Sequence, residues 1–187
     1  TRSSFFNASR FRTSSQLVGT KIYIPQYNGT ALDIIDTTTN TVTTIDSFFN
    51  ASRYRDTSQL VGTKIYIPSG TALEIIDTTN NTVTTITNFF NASWYRYTSQ
   101  LVGTKIYVPQ NNSRGLDIID TSDNTVTTID SFFNTSRNRY ANQLVGTKIY
   151  IPEYNGTGLE IIHTAKTLPV RNNTETQRRQ VSSSSDG

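Results

Sequence analysis

Short runs of β-branched and aromatic residues, each closed by a turn signal, recur along this chain at a fixed interval. In the first copy, Lys21-Ile22-Tyr23-Ile24-Pro25 is rich in strand-favouring residues, and Pro25, which has no N–H for a ladder, ends it. Residues 26–30 then form a turn, with Asn28-Gly29 supplying positive-φ backbone. Residues 31–36 predict the next strand. Leu32 and Ile34 lie on one of its faces and Ile35 on the other, which suits a sheet covered on both sides. Thr37-Thr38-Thr39-Asn40 turns the chain, with Asn40 in the left-handed region, into the strand Thr41-Val42-Thr43-Thr44-Ile45. Upstream, Ser15-Gln16-Leu17-Val18 predicts a shorter strand, and Gly19-Thr20 turns it into Lys21. No helical period appears anywhere.

This unit is written four times. Its first phenylalanine is Phe5, Phe48, Phe89 and Phe132, giving spacings of 43, 41 and 43 residues. The copies occupy residues 4–46, 47–87, 88–130 and 131–168, and residues 169–187 form a polar tail or linker without periodicity. Four short strands per repeat of about 42 residues is the content of a propeller blade. The fold class is therefore all-β: short antiparallel strands in propeller-blade-like sheets. Each unit is too small to bury its own apolar faces and needs its neighbours.

The series Arg53-x-Arg55, Leu60-Val61-Gly62-Thr63-Lys64-Ile65-Tyr66-Ile67 and Leu73-Glu74-Ile75-Ile76-Asp77-Thr78-Thr79-Asn80-Asn81-Thr82-Val83 resembles a kelch-type repeat. The hairpin Ile35-Asp36-Thr37-Thr38-Thr39-Asn40-Thr41-Val42 is similar to that of surface-layer (YVTN-like) propellers of bacteria and archaea. Two departures from the kelch pattern stand out. Its Gly-Gly is replaced by Pro25-Gln26 and equivalents, and its fourth-strand Trp by Val42, Val83 and Val126. The resemblance implies a binding or structural scaffold and no chemistry.

The ends do not match. After Leu159-Glu160-Ile161-Ile162 the fourth copy reads His163-Thr164-Ala165-Lys166-Thr167-Leu168-Pro169, with no Thr-Val-Thr-Thr-Ile strand, and no outer strand precedes Phe5. Three arrangements remain open: a closed four-unit ring, part of a larger propeller, or completion by a neighbouring molecule through unpaired edges. The expected partner is thus a second copy of the chain. The chain begins at Thr1 and has no Met, as a processed or incomplete chain would.

Charge and composition narrow the function. A net charge of +3 with no basic stripe argues against nucleic acid, and no apolar run is long enough for a membrane-spanning helix. Without cysteine there are no disulfides, thiolate metal sites or cysteine nucleophiles. The Thr-, Ser- and Asn-rich surface suits an extracellular or cell-surface location.

Nine Asn-x-Ser/Thr sequons are present, at Asn7, Asn28, Asn50, Asn80, Asn91, Asn111, Asn134, Asn155 and Asn172. Asn7, Asn50, Asn91 and Asn134 share one repeat position, so covalent N-glycans are expected on a secretory route, with no other cofactor. The segments just downstream place arginines among aromatics: Arg10, Arg12, Arg53, Arg55, Trp94, Arg96, Arg137 and Arg139. These are candidate ligand-binding residues for a sugar or an anion. They read more readily as bridges that bond the carbonyls of adjacent units. The recurring acids Asp36, Asp77 and Asp120 read as turn caps rather than metal ligands. His163, the single histidine, stands where other copies have Asp, and no catalytic set accompanies it. The sequence thus predicts a non-enzymatic, extracellular, N-glycosylated structural subunit of a surface layer or filament. The alternative is a lectin-like carbohydrate- or protein-binding propeller.

Overall fold

The structure is a computed structural model that describes residues 5, 6, 10–92 and 95–164. Each unit folds into one antiparallel sheet in simple meander order. The first holds β1 (Gln16–Val18), β2 (Lys21–Pro25), β3 (Leu32–Asp36) and β4 (Thr41–Ile45). The second holds β5 (Gln59–Val61), β6 (Lys64–Ser69), β7 (Ala72–Asp77) and β8 (Thr82–Ile86). The third holds β9 (Gln100–Val102), β10 (Lys105–Pro109), β11 (Leu116–Asp120) and β12 (Thr125–Ile129). The fourth holds β13 (Gln143–Val145), β14 (Lys148–Pro152) and β15 (Leu159–His163), three strands among the described residues.

The turns form as the sequence predicts. Gly19, Gly62, Gly103 and Gly146 sit at φ near +60°, joining the first two strands of each unit where a Cβ would be strained. Asn40, Asn81 and Asn124 occupy the left-handed region in the outer hairpins. Asp36, Asp77 and Asp120 each accept the N–H and hydroxyl of the residue two positions on (Thr38, Thr79 and Ser122). Those bonds hold the Asp36 and Asp77 carboxyls below their usual range, and at Asp120 the Lys105 ammonium, followed by the Ser122 bonds, brings the carboxyl to about 2. The 41-residue spacing arises between β6 and β7, where the stretch between Pro68 and Leu73 is two residues shorter than its equivalents and the strands run on to Ser69 and Ala72.

Register then fixes two faces per sheet. Pairing Tyr23 with Ile34, and Ile22 with Ile35 and Val42, sends the first pair to one side and the second set to the other. Tyr23, Leu32 and Ile34 of the first sheet pack on Ile65, Ile67 and Ile76 of the second, with Phe49 between them. The same junction recurs between the second and third sheets around Phe90, and between the third and fourth around Phe133. Each Ile or Leu sealed there contributes roughly 1.5–3 kcal/mol, so the fold is held chiefly by junctions rather than by single sheets. Tyrosines lock them further. Tyr23 Oη donates to Asn81 Oδ1 at 3.1 Å, and Tyr66 Oη to Asn124 Oδ1 at 3.2 Å.

The outer faces of the end sheets have no such cover. Leu60, Leu101 and Leu144 pack into junctions, whereas their counterpart Leu17 is 59% exposed. Leu32, Leu73 and Leu116 are fully buried, whereas Leu159 is 52% exposed. The described units form an arc with three sealed junctions and two open half-junctions. The expected repeat boundaries place one sheet in each copy, and the tail at 169–187 lies outside the described residues.

Candidate functional site

The segment entering each unit is extended, so consecutive side chains alternate in direction. In the second unit Arg55 points inward and its neighbour Tyr54 outward. Arg55 is fully buried and grips Glu74 with two bonds, Nε to Oε2 at 2.6 Å and Nη2 to Oε1 at 2.8 Å. Its remaining donors reach Gly29 O at 2.5 Å in the preceding unit and Ala51 O at 2.9 Å in its own. The guanidinium lies 3.7 Å from the centre of the Phe49 ring. The same arrangement joins Arg96 to Asp117, Gly70 O and Phe90, and Arg139 to Glu160, Ser113 O and Phe133. Arg12 pairs with Asp33 at 2.7 Å over Phe6. Burial pulls the Arg96 guanidinium below its ordinary value, and Asp117 opposes that shift.

These four arginines were candidates for ligand binding, and the structure gives them a different job. Bidentate carboxylates and carbonyls take up the guanidinium of Arg55 and of Arg139, both inaccessible to solvent, and Arg96 is buried on Asp117 in the same way. Arg55, Arg96 and Arg139 staple each unit to the one before it, as the bridging reading expected, whereas Arg12 bonds Asp33 and Arg10 O of its own unit. Arg10, Arg53 and Arg137 stay partly accessible beside Asp46, Glu74 and Glu153. Trp94 lies outside the described residues.

The outward side of the same segments builds a surface that residue-by-residue reading missed. Phe11, Tyr27, Tyr54, Tyr95, Tyr97, Tyr140 and Tyr154 form an unbroken run of ring contacts across all four units. Centroid separations fall from 6.5 Å at Phe11–Tyr27 to 4.5 Å at Tyr97–Tyr140. Most of these rings are exposed, Phe11 the most. The rim follows from two facts legible separately in the sequence. One is the aromatic between or beside the staple arginines; the other is the tyrosine in the first and fourth β2–β3-type turns. What brings them together is hydrogen bonding between those elements: Tyr27 N to Phe11 O, Asn28 N to Arg53 O, and Tyr154 N to Asn138 O, all at 2.9 Å. Asp56 sits within this rim. Burial without a compensating cation pushes its carboxyl up to about 6. Burial and the neighbouring Tyr140 and Asp56 push the Tyr97 phenol up to about 12.

The sequons divide by exposure. Asn28, Asn50, Asn80, Asn91, Asn134 and Asn155 are exposed. Asn111 is corrected: it is 4% exposed, its Oδ1 accepts Arg139 N at 2.7 Å, and its Nδ2 donates to Asn138 at 3.2 Å. The folded chain leaves no room for a sugar on that nitrogen. Asn7 and Asn172 lie outside the described residues. Among the described residues no group of three or more His, Asp and Glu is gathered as metal ligands, and no helix is long and apolar enough to cross a membrane.

No protein-family model matches the sequence, and no curated protein matches it. Solved structures do. An extracellular domain of BT4673 from B. thetaiotaomicron superposes with a TM-score of 0.65 at 15% identity, over 82% of this chain and 20% of that one. BamB from Moraxella catarrhalis gives 0.57 at 14% identity, over 81% and 45%. The WD40 domain of Pan2 from Neurospora crassa gives 0.61 at 8% identity, over 83% and 47%. The chain therefore spans a fifth to just under half of the structures it resembles. With the four antiparallel sheets, these likenesses show a β-propeller fold.

Proposed function

We propose that this chain is a non-enzymatic, extracellular, N-glycosylated structural subunit that assembles end to end into a surface layer or filament. The observation that carries the reading is the pair of open half-junctions at Leu17 and Leu159, in a molecule whose other junctions are all sealed. Likeness to an extracellular domain supports the location, and the Ile-Asp-Thr-x-Thr-Asn-Thr-Val hairpin supports a blade of the kelch or surface-layer type. Exposed sequons at Asn50, Asn91 and Asn134, repeated once per unit, would sheathe the assembly in glycan. Light scattering on the secreted chain, with glycan mass separated, tests the reading. Particles of more than one chain are expected, and a single chain at every concentration would refute it.

A second reading rests on the aromatic rim. Exposed rings beside the accessible Arg53 and Arg137 suit the apolar faces and hydroxyls of a sugar, as a lectin would use them. A glycan array tests it: saturable binding that Tyr95→Ala abolishes while the fold persists would favour the lectin.

A further inference from the structure

One acid interrupts the aromatic pattern of the rim. The residue after Arg12, Arg55, Arg96 and Arg139 is, in turn, Thr13, Asp56, Tyr97 and Tyr140, so the second unit has a carboxylate where the third and fourth have a ring. Alternation along this extended segment turns Arg55 inward and leaves Asp56 on the side of Tyr54. Rings of three units gather there. Centre to centre, Tyr27 lies 5.3 Å from Tyr54, Tyr54 5.5 Å from Tyr95, and Tyr95 5.5 Å from Tyr97. Tyr27, Tyr54 and Tyr95 are tilted by 43° and 49° and do not stack face on face. The charge of Asp56 is felt by the phenols of Tyr27, in the unit before it, and Tyr97, in the unit after it. The neighbouring cations are engaged elsewhere: Arg53 and Arg55 lie on Glu74, and Arg96 on Asp117. Asp56 is half-buried, and among the described residues it accepts no hydrogen bond and joins no ion pair.

From this we infer that Asp56 and the tyrosines around it form a receptor for an organic cation, specifically a trimethylammonium group. The carboxylate supplies the opposite charge, and the rings attract a cation through the negative potential of their faces. Keeping that charge costs the fold stability, since burial pushes the carboxyl up to about 6, and a bound cation would relieve the cost. Hydration selects the class of cation. A primary ammonium or a metal ion holds its water strongly and needs several oxygen acceptors to replace it. A guanidinium needs acceptors for five N–H groups. Arg55 shows what that takes here, with both oxygens of Glu74 and the carbonyls of Gly29 and Ala51 around it. Asp56 offers only its own carboxyl. A trimethylammonium group donates no hydrogen bond and turns apolar methyls to the rings, so one carboxylate among tyrosines satisfies it. The inference goes beyond the assembly reading and is independent of how the ends of the arc are completed, because every residue it uses lies in the first three units. It differs from the lectin reading of the same rim in requiring the charge on Asp56.

Saturation-transfer NMR on the methyl protons of choline, with titration calorimetry, tests the inference on the full 187-residue chain well above pH 6, where the Asp56 carboxyl is charged. Choline and tetramethylammonium are expected to bind saturably, and the uncharged carbon isostere of choline is expected not to. Asp56→Asn, with its fold checked by circular dichroism, should weaken choline binding by about fivefold or more. Tyr54→Leu and Tyr95→Leu should each weaken it by about two- to fivefold, whereas Tyr95→Phe keeps the ring and should change it by less than about twofold. Absence of choline binding, equal binding of the isostere, or undiminished binding to Asp56→Asn would each overturn the inference. Methylguanidinium bound as tightly as choline would overturn the trimethylammonium class. Saturable binding of uncharged sugars without any of choline would overturn the inference while the lectin reading stood.

Discussion

Replacing Arg55 by alanine removes a guanidinium shared by Glu74, the carbonyls of Gly29 and Ala51, and the Phe49 ring. Glu74, in a site with no solvent exposure, loses both bonds from Arg55 and retains the Ser69 hydroxyl at 3.0 Å and the Arg53 guanidinium, whose Nε lies 3.8 Å away. Leaving one member of a buried pair unpaired costs about 3–5 kcal/mol, and the remaining Arg53 holds the loss to the lower end of that range. The carbonyls of Gly29 and Ala51 lose donors, at roughly 1–3 kcal/mol for each that stays dry, and the Phe49 ring loses its cation. These losses share one site and do not add, so about 4 kcal/mol is expected. For a chain of this length that corresponds to a fall in Tm of roughly 8–16 °C. Urea unfolding followed by circular dichroism measures it. Arg10→Ala is the control, because its partner Asp46 is 75% exposed and such a pair is worth at most about 1 kcal/mol. The double variant Arg55→Ala/Glu74→Ala should cost at least 1–2 kcal/mol less than the two single losses summed. A cost below about 1 kcal/mol for Arg55→Ala would refute the staple and return that guanidinium to the candidate ligand set.

Asp56→Asn should stabilise the fold at pH well above 6 and leave it unchanged below 3.8. The folded carboxyl holds its proton more tightly than the unfolded one, so stability falls as pH rises from 3.8 to about 6. A rise from 3.8 to about 6 corresponds to about 3 kcal/mol at face value, and the carboxyl's half-exposure reduces the expected gain to about 1 kcal/mol, read by denaturation at both pH values. Asn81→Gly keeps the left-handed turn but removes one of the two acceptors of Tyr23 Oη, leaving Thr78 O at 3.3 Å, an expected loss of at most about 1 kcal/mol. Asn81→Val adds backbone strain of about 1–2 kcal/mol and should unfold earlier in urea than the glycine variant. In a secretory host, Asn134→Gln should remove one glycan by mass spectrometry. Asn111→Gln should remove none, yet lower the Tm through its lost bond to Arg139 N.

The blade itself was legible because its signals are local. Strand runs, Pro25 as a terminator, Asn40 at positive φ and Asp36 as a cap each follow from a few adjacent residues. The partner of each arginine was not legible. Arg55 and Glu74 stand 19 residues apart, and only the meander brings them to one junction. The acids at Asp33, Glu74, Asp117 and Glu160 recur in the sequence beside Asp36 and its equivalents. Strand alternation separates the two sets, but which of them meets the arginines depends on which face the neighbouring unit covers. The aromatic rim escaped for a similar reason, since its rings come from two different loops. The second and third β2–β3-type turns lack a tyrosine: at the second Tyr54 meets Tyr95 directly, and at the third Tyr97 carries the run on to Tyr140. Asn111 shows the reverse limit. A sequon is a local pattern, whereas access to its nitrogen depends on Asn138 and Arg139 of the next unit.

Hydrogen exchange read strand by strand tests most directly the claim that sealed junctions hold the fold and two half-junctions stay open. In the Leu17→Glu chain, β6, β7, β10 and β11 should exchange most slowly, with β2, β3, β14 and β15 faster. In the assembled wild-type chain those end strands should slow to the level of the middle ones. Equal protection of all four sheets in the single chain would contradict the account, as would end strands that stay fast in the assembly.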